Sequence, residues 1–214
     1  MNRTTIVFLK VAVWIACLWP AALLVYGALT PDGLGPDPTG KITHATGYTT
    51  LMLITIGLGI APVRRLFPRL GWMIKFRRLI GLFAFFYATL HLLTWVALYT
   101  SFDVNAMATD IVKRRYITVG MAAWLLLVPL ALTSTNWAIR KLGKKWGRLH
   151  KLVYLVAILG VIHYWWQVKH GVLLPLPFTI AIAILLLLRP LQALLGRKRQ
   201  AAVAQGHGVV KRPG

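Results

Sequence analysis

The chain has 214 residues, 58% hydrophobic and only 14% charged, with a mean hydropathy of +0.68; a water-soluble domain is nearer half apolar and about a quarter charged. Its 25 Lys and Arg stand against 4 acids, all Asp, giving a formal net charge of +21. Those cations sit in short clusters between long apolar runs and not on the face of a soluble domain, which excludes nucleic-acid binding and makes a bilayer the solvent.

Six stretches are long and apolar enough to cross about 30 Å of hydrocarbon as helices: 11–29, 43–62, 78–99, 116–133, 149–168 and 173–190. They are continuously apolar and not alternating, so helices are expected and barrel strands are not. The first follows Arg3 and Lys10 as a signal peptide would. It is too long for a typical signal core and no A-x-A site follows, so an uncleaved first helix is expected. Its Cys17, the single cysteine, is read as a small buried hydrophobe. The Pro- and Gly-rich run LTPDGLGPDPTGKITH should be ordered by turns. The loop 100–115 has room for a short interfacial helix. Residues after Arg197 read as a disordered basic tail. The expected fold class is therefore an all-α membrane protein, a bundle of about six transmembrane helices. One domain covers 1–197 and a basic cytoplasmic tail covers 198–214.

Orientation follows from the distribution of Lys and Arg. With the N-terminus in the cytoplasm, 20 of the 25 cations face that side. Only Lys41, Lys113, Arg114, Arg115 and Lys169 face the other. Both termini are then cytoplasmic. Lys113, Arg114 and Arg115 form an outer basic patch, read either as a docking site for a redox partner or as an anchor at lipid head groups. The tryptophans fall mostly near segment ends, as in an aromatic belt.

Ionisable groups within membrane segments are expensive, so each is a functional candidate. His91 lies eight residues before the outer end of the third segment and His163 six before that of the fifth. At 1.5 Å per residue both sit roughly 10 Å below the outer face. Two histidines at one depth on different helices suit axial ligation of a haem iron. With no Cys or acid nearby, a zinc or di-iron site is not available. Small residues Gly81, Ala84, Ala88 and Gly160 are expected near the two histidines, where a flat macrocycle needs close approach. His150 is 13 residues before His163, about 20 Å lower and about 140° around the helix. It is a candidate ligand of a second haem, a propionate contact, or an interfacial residue. His44, at the outer boundary, is a candidate hydrogen-bond partner for a propionate or quinone, or a plain interfacial residue. Arg77 and Arg78 are accounted for by topology, and are also candidate contacts for a propionate, a flavin phosphate or a quinone head group. No dinucleotide-binding motif is present, so electrons must come from membrane quinol or from a partner.

The runs RKLGKKWGRLHKLVYLVAILGVIHYWWQVK, GLGPDPTGKITHATG, RRLIGLFAFFYATLH and KRRYITVG resemble the MsrQ (YedZ) family. These are the haem-binding membrane subunits of the bacterial protein-methionine-sulfoxide reductase system, and the likeness covers residues from about 5 to 190. It implies a ferric-reductase-like transmembrane domain, with NADPH oxidases as distant relatives. It further implies haem b and FMN as cofactors, and electrons passed from the quinone pool to a periplasmic molybdopterin enzyme, MsrP, that repairs methionine sulfoxide. Such a chain is an electron-transfer subunit, not a stand-alone catalyst of sulfoxide reduction. The ligand positions that carry over are His91, His163 and His150. Where distant relatives have a fourth histidine this chain has Arg77, which puts a conventional second haem in doubt. The rival reading is a ferric- or oxygen-reductase-type cytochrome b served by a separate cytosolic flavin reductase.

Overall fold

A computed structural model describes residues 2–168, 173–188 and 190–192, the Arg3 side chain excepted. Lys169, His170, Arg189 and the tail from 193, including His207, lie outside the described residues. The described chain is helical, with no strand. In order it forms α1 (Arg3–Leu29), α2 (Pro38–Leu66), a 3₁₀ segment (Pro68–Phe76) and α3 (Arg77–Thr94), which ends in a π-turn (Trp95–Tyr99). Then follow α4 (Val104–Lys113), α5 (Arg115–Leu132), α6 (Asn136–Leu142), α7 (Lys144–Leu149), α8 (Leu152–Gln167) and α9 (Leu176–Gln192).

Five helical spans are long and apolar enough to cross a membrane: Thr4–Leu29, Pro38–Leu66, Pro68–Tyr99, Arg115–Leu132 and Lys144–Gln167. The sixth expected crossing corresponds to α9, which is shorter and runs across the undescribed Arg189. Helices are the form these runs must take, because an unpaired backbone group in hydrocarbon costs several kcal/mol.

The turn chemistry is as the sequence implies. Asp32 and Gly35 adopt positive φ between α1 and α2. Asp37 caps α2 by accepting from the Gly40 amide at 2.9 Å, with Pro38 at the first helical position. The loop 100–115 holds α4, capped by Asp103.

The buried centre is made chiefly by α2, α3, α5 and α8, which bury Leu58, Ala84, Tyr87, Val156 and Ala157. Helix α1 lies outside and exposes Phe8, Trp14, Ile15, Trp19 and Tyr26, as a lipid-facing helix does. Pro20 interrupts its hydrogen-bond ladder, and Tyr87 repairs it. The fully buried Tyr87 hydroxyl accepts from the Ala21 amide at 3.0 Å and donates to the Cys17 carbonyl at 2.6 Å. It thus bridges the i→i−4 pair around the proline, the kind of repair hydrocarbon demands. Cys17 is buried, as expected.

Eight of the nine tryptophans divide into two groups, and the ninth, Trp72, packs edge-on against Phe76. Trp14, Trp19, Trp137 and Trp166 are exposed. Trp95, Trp124, Trp146 and Trp165 instead spend their indole N–H on Asp110, Thr89, the Thr133 carbonyl and Thr179. This second set ties neighbouring elements together.

Candidate functional site

The site is built where α2, α3, α5 and α8 face one another near the α4 end of the bundle. His91 comes from α3 and His163 from α8. Their ring centroids are 5.9 Å apart and their planes are nearly perpendicular, at 87°. The matching depth expected from sequence is therefore real proximity.

Each ring is held by its Nδ1. His91 Nδ1 lies 3.0 Å from the Thr43 carbonyl, with the Thr46 hydroxyl at 3.3 Å. His163 Nδ1 lies 2.7 Å from the Tyr116 carbonyl. A carbonyl oxygen can only accept, so Nδ1 carries the proton in both rings and donates it. The second nitrogen, Nε2, keeps its lone pair, and among the described residues neither Nε2 has a hydrogen-bond partner. That pairing of a backbone acceptor on Nδ1 with a bare Nε2 is how metal-ligating histidines are oriented.

Two glycines make room for the rings. A Cβ on Gly47 of α2 would lie 3.0 Å from Cε1 and 3.1 Å from Nδ1 of His91. A Cβ on Gly120 of α5 would lie 2.8 Å from Nδ1 and 2.9 Å from Cε1 of His163. Each imidazole thus sits where any side chain on the opposing helix would collide with it. Sequence reasoning missed both residues. Of the small residues it named, Ala88 and Gly160 do line the site and Ala84 is buried close by. Gly81 does not: it is exposed, with no atom within 4 Å of its would-be Cβ. It is ten residues before His91 and lies on another part of the surface.

The histidines line a cavity of about 280 Å³. Its deep wall is apolar and buried, formed by Leu51, Ile54, Leu127 and Val156. Its opening carries His44, Tyr99, Asp110, Arg114 and Gln167. At the end of α4, Arg114 Nε pairs with Asp110 Oδ1 one turn earlier at 3.0 Å, and Asp110 Oδ2 accepts from Trp95 Nε1 at 3.3 Å. His44 is exposed at the rim, so it belongs to the cavity although it touches neither imidazole. All three residues of the basic patch are exposed, and Arg114 differs in also pairing with Asp110 and donating to the Tyr116 hydroxyl at 3.2 Å.

The other candidates lie elsewhere. His150 falls in the break between α7 and α8, stacked on Trp146 at 3.8 Å. Its Nδ1 bonds the Trp146 carbonyl at 3.1 Å, and Nε2 approaches the Ser134 hydroxyl at 3.5 Å. Arg77 and Arg78 open α3 at that same end, and Arg78 donates to Asn136. None of the three lines the cavity.

Among the described residues no group of three His, Cys, Asp or Glu side chains converges on one point. A metal held here receives two protein nitrogens and must bring its other ligands with it. Two imidazole nitrogens about 2 Å from a common ion, in rings of about 1 Å radius, place the centroids about 6 Å apart. The observed 5.9 Å meets that condition. A porphyrin-held iron fits this donor set; a bare zinc ion does not.

Comparison with known proteins bears on the same segment. Residues 44–161 match the family described as ferric reductase like transmembrane component. The chain is 46% identical over 199 residues to the protein-methionine-sulfoxide reductase heme-binding subunit MsrQ of Herminiimonas arsenicoxydans, covering 92% of this chain and 90% of that protein. It is 42% identical to the proteins of the same name from Ralstonia nicotianae, over 92% and 91% of the two chains, and from Xanthomonas axonopodis pv. citri, over 94% of each. The chain belongs to the MsrQ family. The MsrQ family lies within the ferric-reductase-like transmembrane group, and with its run of apolar helices this member is a multi-pass membrane protein. The matched segment begins at His44 and includes Gly47, His91, α4 and Gly120, and it ends two residues before His163.

Proposed function

We propose that this chain is the haem b-carrying membrane subunit of a protein-methionine-sulfoxide reductase system. In this reading it accepts electrons from the quinone pool and passes them to a periplasmic molybdopterin reductase of the MsrP kind. The observation that carries the proposal is the His91–His163 pair, two Nδ1-anchored imidazoles with bare Nε2 atoms at the spacing an iron requires. The names of the relatives add the heme-binding role.

His91 and His163 would hold the iron through their Nε2 atoms. When bound, haem b supplies a one-electron couple. The protein's own contribution is to hold both rings fixed through the Thr43 and Tyr116 carbonyls, so that a change of iron charge moves little else. The apolar deep wall keeps water from the metal, and the polar opening faces the side where a partner must approach. His150, with Arg77 and Arg78, would serve a separate site at the opposite end. Those two arginines are the cations available there for a flavin phosphate or a quinone head group. FMN and quinone themselves enter this proposal through the family alone.

Replacing His91 or His163 by Ala should abolish the bis-histidine Soret spectrum in membranes and stop electron delivery from quinol to the reductase. Retention of the full spectrum by both single variants would refute the ligand assignment.

The orientation is part of the same proposal: a bacterial inner membrane with both termini cytoplasmic. It rests on the 20-to-5 division of cations. Alkaline phosphatase fused after Arg197 should be inactive, and an active fusion there overturns the orientation.

A further inference from the structure

The cavity is apolar in its depth and polar at its opening, and the opening contains a fixed cation. Arg114 Nε pairs with Asp110 Oδ1 at 3.0 Å, and its Nη1 donates to the Tyr116 hydroxyl at 3.2 Å. Asp110 Oδ2 accepts in turn from Trp95 Nε1 at 3.3 Å. This small network includes the support of His163 and reaches the helix that carries His91. Tyr116 gives its carbonyl to His163, and Trp95 stands one turn beyond His91. Hydrogen bonding to Tyr116 and the nearby Asp110 charge push the Arg114 pKa up from an already high value, so it stays cationic. A guanidinium has five N–H donors. Asp110 and Tyr116 engage one each, leaving three without a partner among the described residues.

A haem b placed between the two histidines is apolar except for one edge, which bears two ionised carboxylates. Those groups cannot lie against Leu51, Ile54, Leu127 and Val156 without a large desolvation cost. They must point to the opening, where Arg114 is the one Arg or Lys among the described cavity-lining residues. Arg77 and Arg78, the sequence-level candidates for this task, line no part of the cavity.

We propose that Arg114 anchors a haem carboxylate at the cavity opening, aimed by Asp110 and Tyr116, and so fixes the orientation of the macrocycle between His91 and His163. The assignment rests on the haem reading above. Arg114 is a positioning residue in this scheme. It touches the cofactor edge and leaves the iron to the histidines.

The test uses the full chain in detergent, as wild type, R114Q and R114K, titrated separately with haem b and with its dimethyl ester, whose carboxylates are masked. The wild type should prefer the free acid over the ester by about tenfold, the worth of a charge-assisted hydrogen bond at a half-exposed site. R114Q should lose that preference and keep the bis-histidine spectrum, with a lower haem reduction potential because a cation has gone. R114K should keep part of the preference. An undiminished preference and an unchanged potential in R114Q overturn the assignment and leave the haem reading intact. If R114Q does not fold, R114K decides: a retained preference for the acid supports the anchor, and its complete loss in a folded R114K with normal Soret absorbance refutes the salt-bridge role. A wild type that binds neither ligand removes the haem reading and this assignment with it.

Discussion

The two ends of the bundle carry similar raw material and make different things of it. At the α4 end, His91 and His163 face each other across 5.9 Å, each ring held by a backbone carbonyl and each given room by a glycine. At the other end, His150 stands without a second histidine among the described residues. It lies flat on Trp146 and its two nitrogens are turned to the Trp146 carbonyl and the Ser134 hydroxyl. Arg77 and Arg78 occupy the neighbouring start of α3. The difference teaches that a histidine becomes a ligand position through its supports. An imidazole whose Nδ1 is spent on a carbonyl and whose Nε2 meets open space is poised for a metal. One whose two nitrogens both approach protein atoms is first a structural residue.

The sharpest way to break this comparison is to remove the histidines one at a time. H91A and H163A should each eliminate the bis-histidine absorbance, whereas H150A should retain that signature in full, because His150 contacts no part of the cavity. Optical and electron paramagnetic resonance spectra of the three purified variants make the measurement. Equal loss of the low-spin signal in all three would mean that the two ends form one cofactor unit and that the contrast drawn here is wrong.

A second prediction concerns the glycines. G120A places a methyl group within 3.0 Å of two ring atoms of His163, and G47A places one 3.0 Å and 3.1 Å from two ring atoms of His91. Overpacking of this kind costs about 1–3 kcal/mol. G120A should therefore weaken haem retention by roughly tenfold, and G47A should do so by less. G81A should have no adverse effect, since its Cβ meets nothing and alanine favours a helix. Haem-to-protein ratios after identical purification give the comparison. Normal loading in G120A would show that His163 has another place to go.

Much of the architecture could be read from the sequence, because its physical cause is local. Hydrocarbon forces long apolar runs into helices, and proline, glycine and aspartate mark where they begin and end. Asp37 before Pro38 is an example, and so is Gly143, whose positive φ separates α6 from α7. The histidine pair was legible for a related reason: helix rise converts position along a segment into depth. The glycines were not. A glycine inside an apolar helix carries no mark of what faces it, and Gly81, expected on or near the His91 face, proved to be exposed and away from the cavity. A usable signal was available in α2, where Thr43, Thr46 and Gly47 put two hydroxyls and a gap on one stretch beside His44. Arg114 was misjudged because consecutive cations read as one patch. The i,i+4 spacing from Asp110 was the indication that it had a partner of its own.

That division of the patch yields the smallest expected effect and separates two roles that adjacent charges could otherwise confuse. Lys113 and Arg115 are exposed beside the cavity opening, while Arg114 is committed to Asp110 and Tyr116. Reversing all three charges would disturb the cavity and the surface together. The cleaner variant is K113E/R115E with Arg114 kept. If the exposed pair steers an acidic reductase domain to this face, electron transfer from reduced haem should slow by roughly tenfold at low ionic strength, and the difference should vanish at high salt, where such attraction is screened. The Soret spectrum and the haem content should not change, because neither side chain lines the cavity. Stopped-flow oxidation of the reduced haem by the reductase, across a series of salt concentrations, measures this directly. A rate with the wild-type magnitude and salt dependence would assign Lys113 and Arg115 to lipid head groups at the start of α5, and would leave the cavity opening itself, with Arg114 in it, as the feature that the α4 end does not share with the other.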